Sequence, residues 1–549
     1  MRKNYCFKMF LMLCILFCLN VFAASIIVSK EGGAYNTIQS ALNAANSGDT
    51  IYVKYGIYQE TINFPKSGNT SSPIVLKNFD QNIPIIDGNN TTGNIVTISN
   101  KSNVQIIGFE IRNASNGNPS IGISVSGAGE NILIKNCIVH DIISANNNAH
   151  GIAVYGTNGT SPIKNIILDG NTVYNCKLGQ SESVVLNGNV DSFFVVNNVI
   201  HDNDNIGIDF IGFEQTASSN DQARNGICAN NRVYNISSKN NPTYGGERCA
   251  DGIYVDGGRD IIIEGNIVDS CDIGIEVASE HTGKATSNIT VRNNFISNSY
   301  LGNIMTGGYN STRGSALNII IVNNTTYQSN DGEVILQYNN NGIKIINNIF
   351  VAKSGRTYIS STGTNNTNIS VNNNLYYGAS TTSSGSFTDG NAVFKNPLLV
   401  APPSNMHISA NSPAIDAGII LQDAEYGNKD IDGENRIVGG KIDIGADEFS
   451  QSSAYINKES KINVKGNAHI KRISDSKFII DFASSTNYIE YYIFSINGKV
   501  VEKQIGKYLN ITQSPIIINL KGCSHKIYGI KLKTNSNKYD VIIFNYLNK

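Results

Sequence analysis

Three stretches of the sequence decide the fold: VVNNVIHD (195–202), CANNRVYN (228–235) and IEGNIVDS (263–270). Each places an asparagine directly before a short strand-like segment, and the pattern recurs at intervals of 24 to 35 residues. Recurrence at intervals of this length indicates a repeat architecture. The asparagines that align in this pattern are Asn136, Asn171, Asn198, Asn231, Asn266, Asn294, Asn324, Asn348 and Asn374.

The repeated units contain two or three short β-branched runs separated by polar turns, and helical periodicity is missing between them. Such strands must pair with the equivalent strand of the next unit, which gives parallel sheets with asparagine side chains stacked at a turn. The sequence therefore predicts an all-β fold, a right-handed parallel β-helix of about ten or more coils, with the hand taken from the right-handed crossover rule. A β-propeller is the main alternative, but its blades need longer, hairpin-linked strands.

Composition supports this prediction and excludes other classes. The 549 residues include 78 asparagines and 51 glycines, which favour turns over helices, and the glycines lack the three-residue period of collagen. The net charge of −1 is the sum of +3 in residues 1–23, −13 in 24–449 and +9 in 450–549. Because phosphates would be repelled by an acidic main domain, we expect no nucleic-acid partner.

Residues 1–24 predict a secretory signal peptide, with a basic start, an apolar run over 9–22 and the small pair Ala23-Ala24. We therefore expect a secreted or cell-surface protein without a membrane span, and a monomer. Six cysteines would remain after cleavage, and they predict buried packing rather than a disulfide framework. They are Cys137, Cys176, Cys228, Cys249, Cys271 and Cys523.

The opening of the domain over 33–79 and the segments NSPAIDAG (411–418) and DIDGENRIVGGKIDIGADEF (430–449) resemble pectate-lyase-like β-helix proteins. The resemblance covers roughly 25–449 and implies a short helix over 35–46 that caps the open end of the solenoid. It also implies a secreted enzyme that cleaves a uronate-containing polysaccharide by β-elimination, with calcium assistance as one option. Fold alone does not decide the chemistry, because one fold hosts many activities.

The character of the chain changes at 450. We predict a linker over 450–460 and a small β-sandwich over 461–549, where YYIFSINGKVVEKQ (491–504) resembles the C-terminal sorting domains of the type IX secretion system. That resemblance implies secretion machinery as a partner. The alternative is an accessory β-sandwich without a sorting role.

A second strand also aligns between coils, in HGIAVYG (150–156), GIDFIGFE (207–214), DGIYVDGG (251–258) and GIEVASEH (274–281). Alternate strand residues face the same side. The pattern predicts that Ile208, Phe210, Ile253, Val255, Ile275 and Val277 point inward. It predicts that Tyr155, Asn187, Asp209, Tyr254, Asp256, Glu276 and Thr306 point outward along one face.

Asp256, Glu276 and Asp209 are the catalytic candidates, because three carboxylates on adjacent coils should repel and raise at least one pKa. Asp256 and Glu276 lie two residues out of register, about 7–8 Å apart, which overlaps the separation expected of an inverting glycosidase. The same three acids are alternatively Ca²⁺ ligands for a lyase, for which no particular base is indicated. The base candidates for that route are Arg248, Arg259, His281 and Lys284.

Two long insertions, 213–226 and 237–252, are predicted to wall a groove beside this face. The predicted substrate-binding residues are Tyr155, Asn187, Glu214, Tyr244, Arg248, Tyr254, Glu280 and His281. The DxDGEN motif (Asp430, Asp432, Glu434) resembles a calcium loop without the full EF-hand spacing. Two other interpretations stay open, namely a solvated acidic face and a non-catalytic β-helix that binds glycans or acts in adhesion.

Overall fold

The computed structural model describes residues 23–449, apart from 116, 145–146, 380, 385–386 and 422, together with strand segments of 450–549. Most of the predicted signal peptide and all of the predicted linker lie outside the described residues. The chain divides into two compact units, Met1–Phe449 and Ser450–Lys549. No helix in the described part is long and apolar enough to cross a membrane.

The first unit is a parallel β-helix. A typical coil runs through the strands Val104–Ile107, Glu110–Ser115 and Ser120–Ser126, which belong in this order to three sheets, A, B and C. Equivalent strands of successive coils pair in parallel, giving 13 strands in sheet A, 13 in sheet B and 12 in sheet C. The predicted solenoid is therefore confirmed, and it has more than ten coils.

The strands of the three sheets follow one another along the chain as follows. Sheet A contains Ser25–Val28, Thr50–Val53, Ile74–Asn78, Val104–Ile107, Gly129–Lys135, Ile163–Asp169, Val190–Val196, Arg224–Ala229, Arg259–Glu264, Ala285–Arg292, Ser315–Val322, Asn340–Ile346 and Thr367–Asn372. Sheet B contains Ile57–Gln59, Ile85–Thr91, Glu110–Ser115, Ile138–Ile143, Thr172–Tyr174, Val199–Asn203, Arg232–Ile236, Ile267–Asp269, Phe295–Ser297, Thr325–Tyr327, Ile349–Val351, Leu375–Tyr377 and Val393–Phe394. Sheet C contains Ile62–Asn63, Asn94–Ser99, Ser120–Ser126, Ala149–Gly156, Val184–Gly188, Ile208–Ile211, Asp251–Asp256, Ile273–Ala278, Gly302–Thr306, Gly332–Leu336, Thr357–Ser361 and Thr381–Ser384.

A short helix, Ile38–Ala44, covers the first coils and lies within the predicted 35–46. The side chain of Thr37 caps its start, and the Glu60 carboxylate accepts hydrogen bonds from the free backbone amides of Ile38 (2.8 Å) and Gln39 (3.0 Å). The buried face of the helix closes the open end of the core. The helix is shorter than the predicted range at both ends.

The remaining elements close the first unit and build the second. After sheet C come an antiparallel pair, Leu399–Ala401 with Asn405–Ile408, and a short helix, Asp423–Tyr426. The second unit has two antiparallel four-stranded sheets, which agrees with the predicted small β-structure. One contains Ile462–Asn463, Ala468–Ser474, Lys477–Phe482 and Ile516–Asn519, and the other contains Ile489–Ser495, Val500–Gly506, Ile527–Lys533 and Tyr539–Asn545.

The core follows the predicted alternation in sheet C with one exception. The six residues predicted to point inward all belong to the buried core. Thr306 was predicted to point outward, and this is wrong, because it lies in register with Val277 and Leu336 of the interior. The segment GNIMT has an extra asparagine between its glycine and isoleucine, which shifts the register by one residue, so Met305 lies beside Glu276.

The stacked asparagines form a continuous hydrogen-bonded ladder inside the turn between sheets A and B. Asn198 uses all four hydrogen-bonding positions of its amide: Nδ2 donates to Asn231 Oδ1 and Leu168 O (both 2.9 Å), and Oδ1 accepts from N and Nδ2 of Asn171 (2.9 and 3.0 Å). The same pattern continues coil by coil to Asn374, whose N and Nδ2 donate to Asp389 Oδ2 (3.0 and 2.9 Å).

Asn136 does not belong to this ladder, so that part of the predicted alignment is wrong. Ile138 pairs with Thr172, which places Cys137 in the ladder position and Asn136 beside Gly170. Cys137 accordingly donates its backbone N–H to Asn171 Oδ1 (3.0 Å). Asn136 has a φ of 51° and Gly170 a φ of 69°, so the position before the ladder requires a left-handed backbone, which asparagine and glycine adopt most readily.

The described cysteines agree with the prediction of packing rather than cross-linking. The five that the structure describes are free thiols, and four of them, Cys137, Cys176, Cys228 and Cys271, are buried. Cys249 is half-buried, and Cys523 lies outside the described residues.

Candidate active site

The three predicted catalytic acids lie on consecutive strands of sheet C. Asp209 pairs with Tyr254, which in turn pairs with Glu276, whereas Asp256 pairs with Ala278. Asp256 and Glu276 are therefore two residues out of register on adjacent coils, as expected. All three are buried, with exposed fractions of 2% for Asp209, 5% for Asp256 and 7% for Glu276. A solvated acidic face does not describe such buried carboxyls.

The first wall over these acids is the insertion that follows the strand Ile208–Ile211. Phe213 and Gln215 both have positive φ angles, 72° and 62°, a strained backbone that places Glu214 between them. The Asp221 carboxylate fixes the loop by accepting hydrogen bonds from the amides of Gln215 (2.7 Å) and Ala217 (3.0 Å). Glu214 in turn accepts a hydrogen bond from the Asn187 amide (2.7 Å), so two predicted site residues meet.

The second wall is the insertion before the strand Asp251–Asp256, with two 3-10 turns, Ser238–Asn240 and Pro242–Tyr244. The buried carboxylate of Asp272 anchors it through Ser238 N (2.8 Å) and Arg248 Nε (2.7 Å). Arg248 also stacks on Tyr300, with its guanidinium 3.8 Å from the ring centre. The structure thus places Arg248 in an anchoring ion pair. Burial, with a hydrogen bond from Asn205 opposing it, raises the pKa of Tyr244 to about 12.

Glu280 and His281 lie just beyond the strand that carries Glu276, where predicted. The backbone amide of Glu280 donates to Asp256 Oδ1 (2.8 Å), and the side chain of Glu280 hydrogen-bonds with Tyr254, which is 5% exposed. Arg313 donates to the Glu280 carbonyl (3.1 Å) from the next coil. His281 Nε2 is buried without a hydrogen-bond partner. These contacts make Glu280 the link between Asp256 and the third wall, residues 279–284 and 307–314.

Glu276 is held in a state suited to proton transfer near neutral pH. Burial raises its pKa to about 7, while hydrogen bonds from Asp251 and from the Gln337 amide oppose the rise. Asp251, whose pKa burial and the neighbouring Glu276 raise well above the usual range, keeps its proton and donates it in this hydrogen bond. Glu276 therefore gains and loses its proton near neutral pH.

The pKa of Asp256 is likewise raised well above its usual range, first by burial and then by the charge of Glu280. The amide of Glu280 opposes this rise, because a hydrogen bond from a backbone N–H favours the ionised carboxylate. Like charges in one desolvated cluster cannot all ionise together, so the neighbouring acids share protons. The arrangement thus provides one protonated and one ionised carboxyl within the same pair.

Sequence reasoning missed two acids, Glu182 and Asp251. Asp251 lies five residues before Asp256, so strict alternation would put the two on opposite faces, yet its side chain hydrogen-bonds with Glu276. Glu182 precedes its strand, and burial with the charge of Glu214 raises its pKa to about 8. We call the full set the acid cluster: Glu182, Asp209, Glu214, Asp251, Asp256, Glu276 and Glu280.

One end of the acid cluster carries a chain of uncharged groups. The hydroxyl of Tyr155 lies 2.9 Å from His150 Nε2, and His150 Nδ1 lies 3.2 Å from the Glu182 carbonyl. Burial lowers the pKa of His150 to about 4, so the imidazole is neutral, with Nδ1–H donating to the carbonyl and Nε2 accepting from the hydroxyl. Tyr155 lies beside Asn187 in the sheet register, which joins this chain to the site.

The structure does not bring the three predicted calcium ligands, Asp209, Asp256 and Glu276, into one group. Among the described residues, the ligand atoms that all lie within 4.8 Å of one another at this site belong to Glu214, Asp256 and His281, and Asp209 and Glu276 are not in that group. Glu276 is already engaged by Gln337 and Asp251. Ca²⁺ prefers six to eight oxygen ligands, and the histidine nitrogen does not suit it. The residues present do not fit a calcium centre.

The DxDGEN motif serves as a turn in the closing segment. Asp430 Oδ1 accepts hydrogen bonds from the amides of Asp432 (3.1 Å) and Glu434 (2.6 Å). A second group of ligand-type atoms within 4.8 Å, His407, Asp432 and Asp447, lies here, with His407 Nε2 2.8 Å from Asp432 Oδ2. These contacts account for the motif through local structure.

Comparison with known proteins places the chain. The family model of the Pel9A-like right-handed beta helix region matches residues 28–220. The uncharacterized protein YwoF of Bacillus subtilis is 39% identical over 358 residues, which is 62% of this chain and 76% of YwoF. Pectate lyase PEL9 of Emericella nidulans is 37% identical over 84 residues, which is 13% of this chain and 20% of that protein.

Among solved structures, pectate lyase Pel9A is 15% identical, with a TM-score of 0.42 over 78% of this chain and 98% of that one. The relationship to YwoF covers three quarters of that protein, and the family model covers the N-terminal half of the solenoid. The chain belongs to the same family as YwoF, and its residues 28–220 match the Pel9A-like right-handed beta helix region.

Proposed function

We propose that the protein is a polysaccharide-cleaving enzyme that hydrolyses glycosidic bonds with Asp256 and Glu276. The observation that carries this proposal is the pair itself: two buried carboxyls on adjacent coils, two residues out of register, under three walls of the outer face of sheet C. Two carboxyls that flank a glycosidic bond are the recurrent requirement for its hydrolysis.

The environments of the two acids assign their roles. Asp256, whose pKa burial and the charge of Glu280 raise well above its usual range, is the general acid that protonates the leaving oxygen of the sugar. Glu276, which accepts hydrogen bonds from Gln337 and from the protonated Asp251, is the carboxylate that activates water or attacks the anomeric carbon. Tyr254 lies directly opposite Glu276 and two residues before Asp256, and its side chain hydrogen-bonds with Glu280. The product anomer, followed by proton NMR, distinguishes direct attack of the carboxylate from activation of water.

The test is a polysaccharide panel with two separate readouts, new reducing ends and absorbance of unsaturated sugars. Wild type should release reducing ends without unsaturated product, and Asp256→Asn and Glu276→Gln should each lower kcat about 10²- to 10⁴-fold. Asp169→Asn is the matched control, because this carboxylate pairs with Lys135 on sheet A, away from the site. Wild-type kinetics in both site variants would contradict the proposal.

A second candidate is β-elimination, which the pectate lyase name of PEL9 and the Pel9A-like family model favour. In that case His281, with its buried and unpartnered Nε2, supplies a base within the third wall. Unsaturated product that is lost in His281→Gln and retained in Glu276→Gln would establish this reaction in place of hydrolysis.

We also propose that the protein acts outside the cell, with 1–24 as the export signal and the second unit serving type IX sorting. Expression in the native host followed by N-terminal sequencing of the exported chain tests both parts. A mature protein that begins at residue 24 or 25 supports the signal peptide, and export that survives deletion of 450–549 would exclude the sorting role.

A further inference from the structure

The acid cluster gives the candidate site an excess of acidic groups. Its seven carboxyls act on one another electrostatically, and five of them are no more than 8% exposed. Asp209 Oδ1 and Asp251 Oδ1 are buried without a hydrogen-bond partner. Buried carboxyl oxygens without a donor are costly, so a ligand that brings hydrogen-bond donors is favoured at these atoms.

Most basic side chains of the walls are engaged with the protein, whereas Lys239 of the second wall is exposed. Arg248 is paired with the buried Asp272, and Arg313 stacks on Tyr309 (4.6 Å) while donating to the Glu280 carbonyl. Lys284 lies over the ring of Phe213 (5.2 Å). In the part of the chain that the structure describes, the walls therefore do not present a basic pair for a substrate carboxylate.

The uncharged groups of the site match sugar hydroxyls. Because Tyr155 donates its proton to His150, its oxygen faces the site as an acceptor. Asn187 is fixed between Thr216 Oγ1, which donates to its Oδ1 (2.7 Å), and Glu214, so its amide has a defined orientation. Hydroxyl groups of a neutral sugar both donate and accept, and so satisfy these atoms and the carboxyl oxygens alike.

We infer that this site accepts neutral glycans and excludes uronate polymers, which separates the chain from relatives named as pectate lyases. The inference rests on the proposed function and deepens it by naming the substrate class. A uronate carboxylate would enter a desolvated cluster of acids without a calcium centre, and in the described walls the exposed Lys239 would be a single cation against several carboxyls. A neutral sugar carries no such cost.

The test uses affinity electrophoresis of the full chain carrying Glu276→Gln, which binds without turnover. The probes are matched pairs: polygalacturonate, alginate and glucuronan, each beside its carboxyl-reduced neutral form, together with xylan and arabinan. At least one neutral polymer should retard the protein, and the uronate polymers should retard it at least tenfold less. Stronger retention by a uronate polymer than by its reduced form, or no retention by any polymer, would overturn the inference.

A charge-reversal variant isolates the electrostatic cause. Glu214→Lys places a cation in the exposed part of the first wall, and Glu214→Gln is its matched neutral control. Affinity for polygalacturonate should rise in Glu214→Lys well above that of Glu214→Gln. Uronate binding by the parent should strengthen as salt is added, since screening weakens repulsion. Uronate binding that weakens with salt in the parent would contradict the inference.

The two proposals fail in different ways. A neutral polymer that retards the Glu276→Gln variant but is not cleaved by wild type would overturn the proposed hydrolysis, while the neutral-glycan inference would stand. Release of reducing ends from a uronate polymer would overturn the neutral-glycan inference while the proposed hydrolysis stands.

Discussion

At the residue scale, the proposed chemistry depends on the protonation state of Glu276, which a small number of contacts determine. Its carboxylate accepts hydrogen bonds from Gln337 and from the protonated Asp251, and both oppose the effect of burial. Burial disfavours the ionised form of an acid, and each hydrogen bond to that form partly restores it. The pKa of about 7 is therefore a balance that one side chain can move.

Gln337→Leu tests that balance. Removing this donor should raise the pKa of Glu276 further, so the loss of kcat at acid pH, where this carboxylate becomes protonated, should move to higher pH, by up to about one unit. The measurement is a kcat profile over pH on the polymer that wild type cleaves. Gln39→Leu, on the capping helix, is the control and should leave the profile unchanged. An acid limb that moves to lower pH in Gln337→Leu would exclude this role.

At the element scale, the turn between sheets A and B determines how the coils stack. The side-chain amide of a ladder asparagine such as Asn266 accepts two hydrogen bonds and donates two, and these bonds link its coil to the coils before and after it. The ladder asparagines are buried in the turn. The residue before each ladder asparagine needs a left-handed backbone. In several coils the side chain of that preceding residue hydrogen-bonds to the segment that closes the first unit. Asn293 and Asn323, for example, donate to the carbonyls of Tyr426 and Asp443 (both 3.0 Å).

Asn266→Ala should destabilise the solenoid strongly. It removes the acceptor for N and Nδ2 of Asn231 and the donor to the Cys228 carbonyl, and each buried group left unpaired costs about 1–3 kcal/mol. We expect a loss of about 3 kcal/mol or more in urea unfolding. The control is Asn288→Gly, since this exposed asparagine forms surface hydrogen bonds with Asp260 and Asn318 and its φ of 57° suits glycine. Equal losses in both variants would contradict a special role for the ladder.

The regularity of the strands and turns determines how much of this structure could be predicted from the sequence. The repeat, the inward residues and the Asp256–Glu276 register were predictable, because strict alternation holds inside a strand. Alternation fails where a strand begins, at Gly252 and at the extra Asn303, which is why Asp251 was missed and Thr306 was misplaced. The walls were predictable as insertions, but the contacts inside them depend on tertiary structure, as with the pairing of Arg248 and Asp272.

At the scale of the whole molecule, stability should depend on protons stored in the solenoid. Burial raises the pKa of Glu182 to about 8, and those of Glu276 and the interior Glu333 to about 7. Above the pKa values of unfolded acids, the native state therefore holds protons that the unfolded chain has released. Stability from these groups is present at low pH and is lost as pH rises through the folded values.

Stability should be measured between about pH 6.5 and 8, which lies above the ordinary pKa of histidine. Below that range the lowered pKa of His150 makes stability rise with pH, which would oppose the effect of the acids. Across this window Tm should fall, with each group contributing at most about 1.4 kcal/mol per pH unit to the free energy of unfolding. Glu333→Gln should flatten the fall without touching the acid cluster. A Tm that rises across the window would show that these acids are not protonated in the native state.

The asparagine ladder also has a direction. From Asn171 to Asn374 every backbone N–H and one N–H of every side-chain amide donate toward the coil that follows, so the small dipoles of the side chains add along the axis as peptide dipoles do in an α-helix. The row begins at its acceptor end with a backbone amide and finishes at its donor end on the carboxylate of Asp389. The solenoid is therefore electrically polar, and an anion neutralises its positive pole. Asp389 terminates a field that spans eight coils, and a neutral residue there would leave the last donors of that array facing no charge.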